Sequence, residues 1–321
     1  MELSTIYESV QEDLKKVEDR LKLGSQVDFA YISELLDYSL KSNGKRIRPI
    51  LTLLSGKFYD YDEDNLLRMA TAVEVMHTAT LVHDDAIDNS SVRRGRPTVN
   101  EVWSEEEAVL LGDYLFAESA ALIASTQNIR AIKLFAETLK TISSGELNQA
   151  YNAYNPNQSR PEYFQRIAQK TAALFSTATE SGAAMSQAPE ESIQILIEYG
   201  YNLGVAFQIV DDILDFIGTE EELGKPTGSD LAQGTLTLPA IIILERYPGD
   251  NPVEKYFANK EDRKNIEMAI EMIRNSTIIQ ECYQVASDFC TKASRNLQLL
   301  PDTASRQSLM ELPGYITSRH K

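Results

Sequence analysis

The segment Asp84-Asp85-Ala86-Ile87-Asp88 returns in kind as Asp211-Asp212-Ile213-Leu214-Asp215, 127 positions later. In each copy the first and last carboxylates stand at i and i+4, on one face of a helix. The surroundings are apolar: Leu81, Val82 and Ile87 in the first copy, Ile209, Val210, Ile213, Leu214 and Phe216 in the second. Carboxylates crowded into apolar helices repel one another, and burying one unpaired charge costs several kcal/mol. Divalent cations between two such helices would remove that cost, and all-oxygen ligands point to Mg2+. One D-x-x-x-D alone reads as a solvated acidic face; two D-D-x-x-D copies inside apolar runs do not. They imply two walls of a single metal site.

Basic residues gather near both clusters although the chain carries a net charge of −17. Asn89 to Pro97 reads as a loop beyond the first cluster, with Gly95 and Pro97 as breakers, and it carries Arg93 and Arg94. Arginine offers a planar fork matched to phosphate oxygens. Gly44 to Pro49 places Lys45 and Arg48 at the start of an apolar helix, a ready anion site. A third group follows the second cluster, with Lys225 as its candidate ligand; Lys170 lies in another helical stretch beside Thr171. A lone surface Lys or Arg does little. Acidic clusters suited to Mg2+ with basic clusters beside them fit a ligand bearing several phosphate charges. No Ser-His-Asp or Cys-His arrangement is present.

These segments resemble the trans-isoprenyl (polyprenyl) diphosphate synthases over nearly the whole chain. The matching stretches are GKRIRP at 44–49, HTATLVHDDAIDNSSVRRGRPTVN at 77–100, LLGDYLF at 110–116, QKT at 169–171, FQIVDDILDF at 207–216 and LGKPTGSDL at 223–231. The resemblance implies an all-α, single-domain helical bundle (1–321) with a central cavity. It implies three Mg2+ ions, two held by Asp84 and Asp88 and the third by Asp211, with Asp85 and Asp215 supporting. Arg93, Lys170 and Lys225 would hold the allylic prenyl diphosphate; Lys45, Arg48, His77 and Arg94 would hold isopentenyl diphosphate. Thr171 and Gln208 would face the reacting carbon, and Lys170, Thr171, Gln208 and Lys225 would form the catalytic set. One departure stands out: Thr235 occupies a position where the family often has lysine. His83 is open between a structural and a site role. Arg319 is either an arm over the isopentenyl site or a solvated terminal arginine.

On that resemblance the reaction is head-to-tail, all-trans chain elongation. Residues four to eight before Asp84 should line the path of the growing tail. Ala79 and Thr80 are small, where aromatics accompany short products in the family, so the product is expected to exceed C20. The alternatives are a farnesyl or geranylgeranyl diphosphate synthase, a non-catalytic partner subunit of a heteromeric synthase, and a terpene cyclase. Cyclases pair one aspartate cluster with an Asn/Ser/Glu motif and need no isopentenyl site, and silent partners tend to lose a cluster. A homodimer is the family expectation.

The 321 residues could hold two domains by length, but no Gly/Ser/Pro-rich linker separates the clusters. The spacing Ile6, Val10, Leu14, Val17, Leu21 starts a series of helices. Others are expected at 29–42, 49–58, 64–89, 105–123, 128–153, 161–184, 190–217, 234–246, 260–274, 276–297 and 303–318. Irregular stretches are expected at 90–100, 154–160, 218–233 and 247–254. Cys282 and Cys290, eight apart on one helix, are poorly placed for a disulfide and read as thiols of a reducing, cytoplasmic setting. The amphipathic, acidic start is no signal peptide. No apolar run of about 20 residues is evident, so contact with membranes is at most peripheral. The acidic balance argues against nucleic acid.

Overall fold

Side-chain caps start several helices. Asp62 accepts from the Asn65 amide at 2.8 Å and opens the Glu63–Ile87 helix. Ser104 accepts from the Glu107 amide at 3.2 Å and opens Glu105–Ser125. Ser159 and Glu162 form a reciprocal capping box at the head of Arg160–Ile167. Each cap satisfies a backbone donor that the first helical turn leaves without a partner.

The computed structural model describes residues 3–41, 44–219 and 226–319. They are helical almost throughout; among the described residues the only sheet is a two-stranded antiparallel ribbon, Val92–Arg93 with Arg96–Pro97. Two compact units are distinguished. The first comprises 1–138, 174–200 and 294–312; the second comprises 139–173, 201–293 and 313–321.

In the first unit, Val10, Leu14, Val17 and Leu21 are buried as their spacing requires, although Ile6 belongs to a separate short helix, Leu3–Ile6. Fully burying such a side chain contributes roughly 1.5–3 kcal/mol. The Ile47–Gly56 helix is buried all round, with Ile50, Leu51, Leu53 and Leu54 inaccessible. Glycine lets Ala173–Ala184 approach it closely: a Cβ at Gly182 would lie 2.2 Å from the Thr52 carbonyl oxygen. Glu105–Ser125 lies along Glu63–Ile87, and the Ser119 hydroxyl donates to the Ala72 carbonyl at 2.7 Å. His83 packs over Gly112, its Nε2 lies 2.9 Å from the Val109 carbonyl, and its ring meets Phe116 edge-on. These contacts give His83 a packing role.

Three sequence expectations need revision. The 90–100 stretch holds the ribbon, whose turn residues Arg94 (φ 52°) and Gly95 (φ 74°) are both left-handed, and the short helix Val99–Val102. The stretch 247–254 opens the helix Pro252–Ala258: the Asn251 side chain accepts from the Glu254 amide at 2.9 Å, an N-cap written into the sequence as Asn-Pro-Val-Glu. The helix expected from 234 starts at Leu238, because Gly234 (φ 84°) ends the preceding turn. In addition, Glu105–Ser125 has the length and apolar composition of a membrane-crossing segment, against the reading that no such run exists. Its inner face is packed within the unit, as the Ser119 bond shows.

In the second unit the expected helix 161–184 is interrupted by a π-helical turn at Ala168–Ala172, which contains Lys170 and Thr171. Such turns are rare and recur at functional sites. Close approach of Gly145 accompanies it; a Cβ there would stand 2.9 Å from Gln169 Cβ. Cys282 and Cys290 are free and buried on Ile278–Ser294, and burial pushes each thiol up to about 12.

Candidate active site

Both aspartate clusters sit in the last turns of their helices, Glu63–Ile87 and Glu190–Ile217, and neither helix has a basic residue in its last turn. Carbonyl ends of helices carry partial negative charge, so carboxylates there are unfavourably placed until a cation arrives. The members of each cluster then divide by environment.

In the first unit Asp84 is half-buried and Asp88, the C-cap, is exposed, whereas Asp85 is buried. Asp85 receives the Arg93 Nε at 2.8 Å on both oxygens. Burial raises the Asp85 carboxyl to about 6; Arg93 opposes that rise, and Asp84 and Asp88 add to it. Asp85 therefore holds the arginine ribbon against the helix, and Arg93, assigned by resemblance to the allylic diphosphate, is seen on Asp85.

In the second unit Asp211 is half-buried and the Arg319 guanidinium lies 2.9 Å from its Oδ1 while stacking on the Phe207 ring. This arginine is thus not a solvated terminus. Asp212 is buried, receiving the Tyr163 hydroxyl at 2.7 Å and Gln208 Nε2 at 2.8 Å. Its carboxyl rises to about 7, chiefly through burial and then through Asp230. Asp215, also buried, accepts from the Ser229 hydroxyl at 2.9 Å and the Asp230 amide at 3.3 Å, tying down the segment after the helix. Asp85 and Asp215 thus act on the protein itself, and the accessible carboxylates are Asp84, Asp88 and Asp211.

This donor set fits a hard divalent cation: carboxylate oxygens alone, at helix ends that repel negative charge, two per helix at most. Among the described residues no three histidine, cysteine or carboxylate side chains form a closed ligand cage. Mg2+ suits such a sparse set, since it keeps waters and shares substrate phosphates.

Of the proposed isopentenyl set, Arg48 and His77 meet within the first unit. Arg48 Nη1 stands 3.0 Å from His77 Nε2 and its guanidinium lies over the Phe175 ring. The Arg94 guanidinium reaches Gly44, where a Cβ would come within 2.8 Å of it, so the Lys45 loop and the ribbon meet. Arg46, which the sequence reading left without a role, turns inward to Glu74 at 2.5 Å and to the Leu40 carbonyl at 3.0 Å. That buried pair anchors the loop bearing Lys45 on the helix that carries His77 and Asp84. Arg46 (φ 50°) and Arg94 (φ 52°) both occupy the left-handed region, where a side chain costs of order 1–3 kcal/mol, a strain typical of binding loops.

In the second unit Lys170 pairs with Glu146 at 2.8 Å, and the Thr171 hydroxyl donates to Gln208 Oε1 at 2.6 Å. Lys225 lies outside the described residues. Thr235, half-buried, donates its amide to the Asp230 carbonyl at 2.9 Å. Of the two chain-length candidates, Thr80 shares the incompletely buried stripe His77, Thr80, Leu81, Asp84, Asp88, whereas Ala79 has 0% exposure. Ala79 therefore lines no accessible space: it sits off the open face by one residue's rotation. The unforeseen residues Arg46, Glu74, Glu146, Tyr163 and Asp212 left two signals in the sequence, an acid at 74 inside an apolar run and an extra acid at 212 in the second motif.

The model of the polyprenyl synthetase family matches residues 29–273. Heptaprenyl diphosphate synthase component 2 of Geobacillus stearothermophilus is 38% identical over 99% of each chain. The crystal structure of a polyprenyl synthase from Caulobacter crescentus CB15, complexed with calcium and isoprenyl diphosphate, superposes with a TM-score of 0.95 at 32% identity, covering 100% of this chain and 98% of that one. That of a decaprenyl diphosphate synthase from Rhodobacter capsulatus gives 0.92 at 35% identity, covering 100% of both. The chain belongs to the polyprenyl synthetase family. It is a trans-prenyltransferase with the all-α isoprenoid synthase fold.

His77 yields a pH test. Burial first, then the charges of Arg48, Arg94, Arg93 and Arg46, hold its imidazole well below the usual histidine range. An unfolded histidine takes up a proton near pH 6.5, while folded His77 resists it. The unfolded state therefore binds more protons as pH falls, and the fold loses stability below about pH 6.5, at most by about 1.4 kcal/mol per pH unit. Comparing urea midpoints at pH 7 and pH 5, His77→Gln should show a smaller acid-induced loss than wild type. Equal losses would mean that the ring is not held neutral.

Proposed function

We propose that this chain condenses an allylic prenyl diphosphate with isopentenyl diphosphate, head to tail and all-trans, to a polyprenyl diphosphate longer than C20. The observation that carries this reading is the pairing of chemistries in one chain. Carboxylates crown two helix ends, Arg48 lies against His77, and Arg94 meets the loop that bears Lys45. A cyclase has no use for the second, basic set. The names of the relatives, heptaprenyl and decaprenyl diphosphate synthases, support a long product.

Three Mg2+ ions, two on Asp84 and Asp88 and one on Asp211, would supply charge neutralisation for the departing diphosphate. The chain's own residues do the rest. Lys45, Arg48, His77 and Arg94 grip isopentenyl diphosphate and set its double bond in line. Arg93, Lys170 and Lys225 serve the allylic diphosphate, for which Arg93 must exchange part of its contact with Asp85. Thr171 and Gln208 turn oxygen dipoles toward the allylic carbon as positive charge develops there. Such preoriented dipoles are worth several kcal/mol in a dry site. Exclusion of water keeps the cation for the incoming double bond.

With farnesyl diphosphate, labelled isopentenyl diphosphate and Mg2+, the purified chain should form products beyond C20 by mass spectrometry. Asp84→Ala and Asp211→Ala should each cut kcat by about 100-fold or more, the scale of losing one strong electrostatic contact in the transition state. An elongation rate unchanged in either variant contradicts the assignment, and none from wild type favours a non-catalytic subunit.

Product length follows from the open stripe of the Glu63–Ile87 helix. Thr80→Tyr places a ring one turn before Asp84 and should shorten the product. Ala79→Tyr overpacks a filled core instead and should lower stability by about 1–3 kcal/mol. Shortening by Ala79→Tyr but not by Thr80→Tyr would move the tail to another face.

The exposed apolar residues Val109 and Leu110 of the Glu105–Ser125 helix are the surface proposed for a second copy of the chain. The relative from G. stearothermophilus is named as one component of a synthase, which makes an unlike subunit the competing occupant. The mass of the purified chain in solution separates the two.

A further inference from the structure

The second aspartate motif contains a fully buried carboxylate, Asp212, to which the reaction as described gives no role. Asp212 is buried on the Glu190–Ile217 helix and turned away from the accessible side occupied by Asp211. Its contacts form a directional chain. Tyr163, fully buried, donates to Asp212 Oδ2 at 2.7 Å. Gln208, one turn earlier on the same helix, donates through Nε2 to Asp212 Oδ1 at 2.8 Å. Gln208 Oε1 then accepts from the Thr171 hydroxyl at 2.6 Å, and Thr171 stands in the π-turn.

A carboxamide can face either way, and its two ends carry opposite charge. Asp212 decides which way Gln208 faces: with the Tyr163 hydroxyl donating to Oδ2, Oδ1 is left to accept from Nε2, and an accepting oxygen there repels a carbonyl oxygen. With Nε2 committed to Asp212, only Oε1 faces Thr171. The threonine hydroxyl must then spend its proton on Gln208, which leaves its oxygen lone pairs pointing elsewhere. Tyr163 occupies the other carboxylate oxygen and fixes the Asp212 rotamer. Arg166 stands behind this arrangement, its guanidinium 5.6 Å from the centre of the Tyr163 ring and hydrogen-bonded to Gln158 at 2.7 Å.

We propose that Tyr163 and Asp212 are positioning residues for prenyl transfer: they set the polarity of the Gln208–Thr171 pair so that oxygen, not hydrogen, meets the developing allylic cation. This rests on the reading of Thr171 and Gln208 as the pair facing the reacting carbon. Neither Tyr163 nor Asp212 touches substrate in this account.

The test compares two inert ligands in the presence of Mg2+: a prenyl thiolodiphosphate, which is uncharged along its chain, and an analogue with an ammonium centre where the allylic cation forms. Wild type should bind the ammonium analogue more tightly. Tyr163→Phe and Asp212→Leu should each reduce that preference, Asp212→Leu by about tenfold, the scale of one hydrogen bond to a charged group. Affinity for the thiolodiphosphate should stay within about twofold, and kcat should fall while KM for both substrates holds. Asp212→Asn should restore most of the preference, because its carbonyl still accepts from Gln208 and its amide can donate to the Tyr163 oxygen. Equal weakening of both ligands, or an unchanged preference in Asp212→Leu, overturns the proposal. If wild type forms no elongated product and binds neither analogue, the prenyl-transfer reading fails first and takes this one with it.

Discussion

Carboxylates at the carbonyl ends of two long helices are the constraint from which the rest follows. Ordinary helices end in Lys, Arg or a neutral cap; Glu63–Ile87 and Glu190–Ile217 end in aspartates. The protein offsets part of this charge itself. Asp85 is matched by Arg93, Asp215 by the Ser229 hydroxyl and Asp230 amide, and Asp212 by Tyr163 and Gln208. The three most accessible carboxylates are Asp84, Asp88 and Asp211, the last of them in contact with Arg319.

The same economy operates on the basic side. Burial first, and then the charges of Arg48, Arg94, Arg93 and Arg46, hold the His77 imidazole well below the usual histidine range. Arg46 is neutralised inside by Glu74, and this pair holds the loop that presents Lys45. Left-handed backbone at Arg46 and Arg94 is a local cost of pointing long side chains into one place. The fold therefore separates two tasks within one basic segment: alternate residues anchor and bind.

Much of this was legible in the residues. The repeated aspartate motif, the basic segments and the helical periodicity identify an all-α fold and diphosphate chemistry, because each depends on spacing along one helix or loop. What stayed hidden depends on partners distant in sequence. Nothing local says that Asp85 belongs to Arg93, since their pairing needs the ribbon turn at Arg94-Gly95. The π-turn at Ala168–Ala172 has no composition signal; it emerges where Gly145 lets another helix press against Gln169. Ala79 and Thr80 look alike in sequence, and only the packing of the fold separates the filled side of the helix from the open one. The Pro252–Ala258 helix was legible in principle, through its Asn251 cap, but is too short for periodicity to reveal.

Divalent ions held by the accessible aspartates when diphosphate is present are the central prediction. Mn2+ binding followed by electron paramagnetic resonance, with inorganic pyrophosphate and the intact protein, measures this without turnover. Wild type should retain tightly bound Mn2+ that depends on pyrophosphate, and Asp84→Asn and Asp211→Asn should each lower the number of ions retained. Unchanged Mn2+ retention in both variants would contradict the account.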